Sequence, residues 1–451
     1  MLLRLRIVPS LSACCLAAAG AACSEGATQA PPPAFTVTDS AGVRVVVNSG
    51  QLWGEGEGWQ VSAEPVVTLG VRDYPVEQQF ERLGGATRLS DGTIVVLEQR
   101  HMELEAFDAS GALLWTAGGI GDGPGETRPY PDTHAVLTKL PGDTLQLQNG
   151  QDRVRFGLAG ELLEHRKVDY ARFRRWGRIF LQYCPFEVYF VRDQIVVCHG
   201  MQFEPPFPDS WTGRHTIMRT TWDLDRLDTL GAFLDASFYR AGPPGVAVRS
   251  PLAAQGMFRV ATSPQPRLLY ARNDAYRIEV WDIPAGNLAM VVERRVPRHV
   301  RSREEADHLV QSGDLAAVHL IASEMNIAID LEAEMDKAHA AAIDSVSIAQ
   351  ALFLDELGYL WVRRSPSQLD GEYARVQEVT GPDDTRWTLP APTGLHDVFR
   401  PDGVYLGAVK LPPDLRITEI GPDYILGIVR DEMDVQYVWM YGLERSGGGS
   451  G

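Results

Sequence analysis

The chain has 451 residues, 45% of them hydrophobic and 22% charged, which is the composition of a folded protein rather than a disordered one. Its formal net charge of −17 repels phosphate backbones and argues against a nucleic-acid partner. The short basic run RFRRWGR (Arg172 to Arg178) reads as a solvated strand or loop edge. Length alone leaves the domain count open, because all-β domains run long, and 43 glycines with 29 prolines announce many turns.

The first 22 residues read as a targeting segment. MLLRLR supplies positive charge, and IVPSLSACCLAAAGAA is an apolar stretch of small residues too short to span a bilayer. It ends at Cys23, within Gly20–Cys23 (GAAC). This start resembles a bacterial lipoprotein signal, in which such a cysteine becomes the lipid-modified first mature residue. The resemblance implies lipidation at Cys23, with LSAC (Leu11 to Cys14) as a second match. Ser24 is similar to residues that send such lipoproteins to the outer membrane, so the expected location is the cell envelope, facing the periplasm or the surface. Residues 23–34 read as a flexible tether.

Phe35 to Ser49 (FTVTDSAGVRVVVNS) is a hairpin candidate outside the repeats that follow, and Trp59 to Gly70 is a spare strand. Then a strand, a tight polar turn and a second strand recur six times: Thr87–Leu97, Leu137–Gln148, Val188–Cys198, Leu268–Trp281, Ala351–Arg364 and Ile417–Val429. The turn residues Asp91, Gly142 and Asp193 are each separated by about 50 residues, the length of one propeller blade. A second hairpin pattern begins at Phe107, Phe156, Trp222, Trp281 and Phe399. Two hairpins make a four-stranded blade, which stacks with others into a ring. The expected architecture is therefore an all-β, six-bladed β-propeller over residues 35–445. Its sixth unit lacks one strand, and Trp59 to Gly70 is expected to supply it. Residues 446–451 form a Gly/Ser tail.

Between the first and second units lies WTAGGIGDGPGET (Trp115 to Thr127). It lacks the spacing of a dinucleotide loop and the Lys-Ser/Thr of a P-loop, and two prolines follow it. It reads as a corner, not a phosphate cradle. Cys184 and Cys198 are the cysteines left after export, and an oxidising compartment suggests a disulfide between them, with two buried free thiols as the alternative. A loop of about 15 residues closed this way would be stabilised by roughly 3 kcal/mol in the chain-entropy model. Residues 302–345, Ala-, Glu- and Leu-rich without proline, predict a helical insertion opened by an S-x-x-E capping box at Ser302 and Glu305.

No G-x-S-x-G elbow or H-E-x-x-H motif occurs, so no catalytic, cofactor or metal residue is assigned. His308, His319 and His339 do not share a two-ligand helix face, and Asp223 to Asp228 lacks the glycine and distal glutamate of a calcium loop. Arg363 and Arg364 are candidates for a channel-facing anion site or for a cross-strand salt bridge. The repeats, the lipoprotein-like start, GGIGDGPGE (Gly118 to Glu126) and the D-x-x-G-x-L-W-V run at Asp355, Gly358, Leu360, Trp361 and Val362 together resemble the six-bladed β-propeller lipoproteins of bacterial envelopes, relatives of NHL-type propellers. The resemblance speaks for fold and leaves two functions in view. One is an envelope binding or scaffold protein for a protein, peptide or glycan. The other is a calcium-dependent hydrolase or lyase of the gluconolactonase-like propeller type.

Overall fold

The computed structural model describes residues 33–70, 80–129, 135–169, 188–191, 194–199, 210–223, 226–241, 246–250, 252–262, 265–312, 330–340, 342–343, 345–346, 349–365, 376–380, 386–390, 394–431 and 433–445. Cys23, Cys184, His319 and the run Arg172 to Arg178 lie outside them, as does the side chain of Cys198.

Before the repeats come β1 (Phe35–Ser40), β2 (Val43–Asn48), β3 (Gln60–Val61) and β4 (Val67–Leu69). Blade 1 is β5 (Leu83–Arg88), β6 (Ile94–Glu98), β7 (Glu103–Phe107) and β8 (Leu113–Gly118). Blade 2 is β9 (Val136–Leu140), β10 (Thr144–Asn149), β11 (Asp152–Phe156) and β12 (Leu162–Lys167). Blade 3 runs β13 (Val188–Val191), β14 (Gln194–His199), β15 (Ser210–Thr221) and β16 (Leu227–Ala241), with a fifth strand β17 (Val246–Arg249). Blade 4 is β18 (Gly256–Ala261), β19 (Arg267–Arg272), β20 (Arg277–Asp282) and β21 (Asn287–Arg294). A two-stranded bridge, β22 (His299–Val300) with β23 (Ser345–Val346), closes the base of the helical insertion, which contains α1 (Arg303–Ser312) and α2 (Leu331–Ala340). Blade 5 is β24 (Ala349–Leu354), β25 (Leu360–Arg364), β28 (Leu395–Phe399) and β29 (Tyr405–Lys410), interrupted by a hairpin of β26 (Val376–Thr380) and β27 (Arg386–Pro390). Blade 6 is β30 (Arg416–Ile420), β31 (Tyr424–Arg430) and β32 (Gln436–Glu444).

The chain closes its ring as the strand count requires. β4 pairs antiparallel with β32, Val67 opposite Met440 and Leu69 opposite Val438, and supplies the fourth strand of blade 6. β3 pairs further along the same edge, Gln60 opposite Glu444. Besides the fifth strand of blade 3 and the β26–β27 hairpin, blade 4 and the N-terminal hairpin differ from the sequence expectation. In blade 4 the hairpin Leu268–Trp281 joins the second and third strands, because the first strand, β18, precedes it behind a Pro-containing turn without the Asp or Gly signature. The Phe35–Ser49 hairpin forms, and it is stitched onto blade 4: β2 runs parallel to β21, Asn48 opposite Arg294, making a six-stranded sheet with β1 outermost.

Burial follows the position of a strand in its blade. Middle strands such as β6 (IVVLE) and β31 (YILGIVR) are packed on both faces by neighbouring blades, so they read as continuous apolar runs. The outer strands β8 and β12 are largely exposed. The core accordingly lies between blades. Ile94, Val96, Leu426 and Val438 join blades 1 and 6, and Leu145, Leu147 and Leu104 join blades 1 and 2. Blades 3 and 4 meet at Phe233 and Leu268, blades 4 and 5 at Ile278 and Val362, blades 5 and 6 at Trp361 and Ile425.

The D-x-x-G-x-L-W-V run is a turn lock. The Asp355 carboxylate accepts the amides of Leu357 and Tyr359 (3.0 and 2.8 Å) and the Trp361 indole N–H (3.0 Å), while Gly358 takes a positive φ of 85°. Arg445, on the far side of β32, donates to the same carboxylate at 2.8 Å and lies over the Trp59 ring at 4.3 Å. The capping box forms as predicted: the Glu305 amide donates to Ser302 Oγ (3.1 Å) and the Ser302 amide to Glu305 Oε2 (2.7 Å). The insertion packs Val310 and Ala338 on Leu252, at the connection between blades 3 and 4.

Leu69 is 2% exposed within the seam between blades 6 and 1. Leu69→Ala should cost about 2–5 kcal/mol, read as a lowered denaturant midpoint with an unchanged slope. A chain beginning after Gly70 loses the closing strand and should unfold without cooperativity in calorimetry. A melting transition equal to that of the full chain would contradict closure by this strand.

Candidate functional site

The inner strands of all six blades surround a central cavity of about 370 Å3. Its wall includes Thr87 from β5, Thr138 and Lys139 from β9, Tyr189 from β13, Arg259 and Thr262 from the β18 region, Glu356 beside β24, and Glu419 from β30. Converging polar groups in a concave space are what a ligand site needs.

Four blades contribute to one ion cluster. Lys139 Nζ lies 2.5 Å from both Glu356 Oε1 and Glu419 Oε1, donates to the Arg88 carbonyl at 2.5 Å, and is 3.4 Å from the Tyr424 hydroxyl. Glu419 also accepts from the Thr87 hydroxyl, the Arg88 amide (3.1 Å) and the Tyr424 hydroxyl (2.5 Å). The Glu356 amide donates to the Ile420 carbonyl at 3.1 Å, which ties the blade 5 turn to blade 6.

The titration behaviour follows from these contacts. Burial pushes the Glu356 carboxyl up, and its hydrogen bond to Glu419 adds to the push, so it titrates at about 7. Burial also works against ionised Glu419, but the Lys139 charge and the hydrogen bonds from Glu356, Lys139 and Thr87 hold it below its ordinary value. For Lys139, burial acts downward and is overcome by the Glu419 and Glu356 carboxylates, which keep the ammonium charged. The Arg259 side chain is exposed to the channel, and desolvation by the channel wall lowers its pKa. Its guanidinium carbon stands 5.8 Å from the Phe353 ring centroid.

Arg364 proves to be the cross-strand ion-pair partner: its Nε and Nη2 meet Asp397 Oδ1 at 2.8 and 2.6 Å. Arg363 donates to the Pro413 carbonyl at 3.0 Å, and neither arginine lines the cavity. Asp397 is fully buried and also meets Arg294 (2.6 Å), Tyr276 (2.6 Å) and Tyr405 (3.0 Å). His339 pairs with Asp307 at 2.8 Å and Asp228 with Arg226 at 2.8 Å. Among the described residues, no group of three or more His, Cys, Asp or Glu is arranged to hold a metal ion.

The glycine-rich corner links β8 to β9 and bonds several of its amides internally. Glu126 accepts the Gly123 N–H at 2.9 Å, Thr127 N–H reaches the Gly119 carbonyl at 2.9 Å, and a Cβ on Gly121 would collide with the Glu126 carboxylate. An anion would find these donors occupied.

No family model and no curated protein matches the chain. Among solved structures, a member of the DUF4221 family from Bacteroides vulgatus is 9% identical, with 86% of this chain and 99% of that one covered at a TM-score of 0.43. A protein predicted to be exported, from Bacteroides fragilis, is 11% identical, with 89% and 99% covered at 0.40. A gluconolactonase from Xanthomonas campestris is 11% identical, with 85% and 100% covered at 0.32. The six-bladed ring itself is read from the strand pairing of this chain.

Because Glu356 binds its proton more tightly in the folded protein, its contribution favours the fold in acid and is lost as pH rises from about 4.5 to 7. Glu356→Gln should therefore gain melting temperature relative to the parent as pH increases across that window, with the difference levelling above it. A difference that does not change with pH would show that Glu356 is not the titrating group.

Proposed function

We propose that this protein is a ligand-binding module of the cell envelope, anchored through a lipid on Cys23, and that its ligand enters the central channel. The observation that carries the reading is the cavity to which all six inner strands contribute, with polar side chains of several blades turned towards one space. Its volume of about 370 Å3 falls in the ordinary range for small-molecule pockets. Such a site accepts a small molecule, or one residue of an envelope glycan or peptide.

The described residues that line the channel do not suit the calcium-dependent alternative. Calcium takes six to eight oxygen ligands. The two carboxylates gathered in the channel, Glu356 and Glu419, already share the Lys139 ammonium, a cation built into the protein. A binding role needs no further chemistry from this cluster, which fixes the channel wall by linking blades 1, 2, 5 and 6.

Purified protein exposed to envelope extract, washed and examined by mass spectrometry should retain a small set of compounds. Thr138→Trp, which fills the cavity, should fold with an unchanged melting temperature and retain none of them. Retention equal to that of the parent would place binding elsewhere on the ring. The anchor has its own test: Cys23→Ser should abolish metabolic palmitate labelling, because the thioether requires that sulfur. Persistent label would move the anchor to Cys14 or Cys15.

A further inference from the structure

We infer that the channel receives a compact, hydroxylated carboxylate, and that Arg259 is the residue that anchors its negative charge. The inference rests on the reading that the channel is the ligand site.

Each cation around the inner strands meets an oxygen of the protein, with a single exception. Lys139 is held by Glu356 and Glu419. Arg88 meets Asp423 at 3.4 Å, Arg416 donates to the Leu83 carbonyl at 2.7 Å, and Arg363 donates to the Pro413 carbonyl at 3.0 Å. Arg259 alone among these cations has no carboxylate or carbonyl partner among the described residues, and its neighbours are the Phe353 face and Tyr189. A guanidinium exposed to a cavity and lacking an anion presents a planar fork of donors that matches a carboxylate in bidentate geometry.

The charge of the ligand is also constrained. Glu356 and Glu419 already outnumber the Lys139 ammonium, so Arg259 is the cation left to receive an anion, and one carboxylate fills its fork. A phosphate monoester brings about −1.5 to −2, and its second charge would face the carboxylates of Glu356 and Glu419 across the same cavity. The hydroxyls of Thr138 and Thr262 border the space and suit a ligand that carries hydroxyl groups.

Calorimetric titration with D-glucuronate, D-glucose and glucose 6-phosphate, joined to melting temperatures, tests this. The parent should bind D-glucuronate at least tenfold more tightly than either other probe. Arg259→Gln should lose that preference, and Arg259→Lys should recover only part of it. Without ligand, Arg259→Gln should melt at or near the parent, since the guanidinium it removes loses no carboxylate or carbonyl partner and only a 5.8 Å contact with the Phe353 ring. A marked loss of melting temperature would overturn the proposal by assigning Arg259 a structural role. Absence of any preference for the acid, including absence of binding by all three probes, or a preference for the phosphate, would overturn it as well. Thr138→Trp separates the two readings. If compounds from envelope extract are still excluded by that variant while the acid shows no advantage, the channel remains the site and only the carboxylate assignment falls. If Thr138→Trp retains them, the channel reading itself falls.

Discussion

Three residues of β4 laid against β32 hold this molecule in its closed form. A blade buries its apolar faces only against its neighbours, so an open ring would expose the faces of blades 1 and 6 together with two sheet edges. The pairing joins segments far apart in the chain: the Gly442 amide reaches the Ser62 hydroxyl across a separation of 380 residues. Its loop-closure entropy is recovered only when both interblade faces dock at once. The candidate site depends on the same event. Thr87 and the Arg88 amide of blade 1 meet Glu419 of blade 6 across this seam, so the ion cluster in the channel exists only when the ring is closed.

Two buried ionic clusters show how position separates scaffold from site. Around Asp397, two guanidiniums and two phenols enclose one carboxylate at the contact of blades 4 and 5. Every group is occupied, and the cluster does not border the channel cavity. Removing one member would strand charge in the interior, which is the costly way to break such a group. The Lys139 cluster is equally well paired but borders open space, and it stands opposite a cation that is not paired. The difference between the two lies in what remains unsatisfied at their edge.

Much of the fold was legible because hairpin chemistry is local. The Asp- and Gly-containing turns at Asp91, Gly142 and Asp355 mark strand pairs without reference to the rest of the chain, and the missing strand of the last unit pointed to Trp59–Gly70. Blade 4 was misaligned by one strand because its first turn lacks that chemistry. The β26–β27 hairpin was missed because it interrupts a blade without altering the signature of its outer turn. The site was harder to see, since its residues come from different repeats and meet only in the ring. A signal existed nonetheless. Lys139 in LTKLPGD and Glu419 in ITEIGPD hold the same place on their inner strands, each four residues before the turn aspartate. Opposite charges at one repeat position, on strands that converge on an axis, are a recognisable mark of a channel ion pair. Arg259 offers no comparable mark, because its distinction is the absence of a partner.

The hairpin that extends blade 4 places its own first residues at the edge of the sheet. β1 is the outermost strand of that sheet, and the Ala34 carbonyl is fixed by the amides of Ser49 and Gly50 at 2.8 and 2.9 Å. Ala34 is thus fixed at the perimeter, several strands away from the axis. A hairpin added at the rim lengthens blade 4 without contributing a residue to the channel wall, so the extension of the sheet and the lining of the cavity can vary independently.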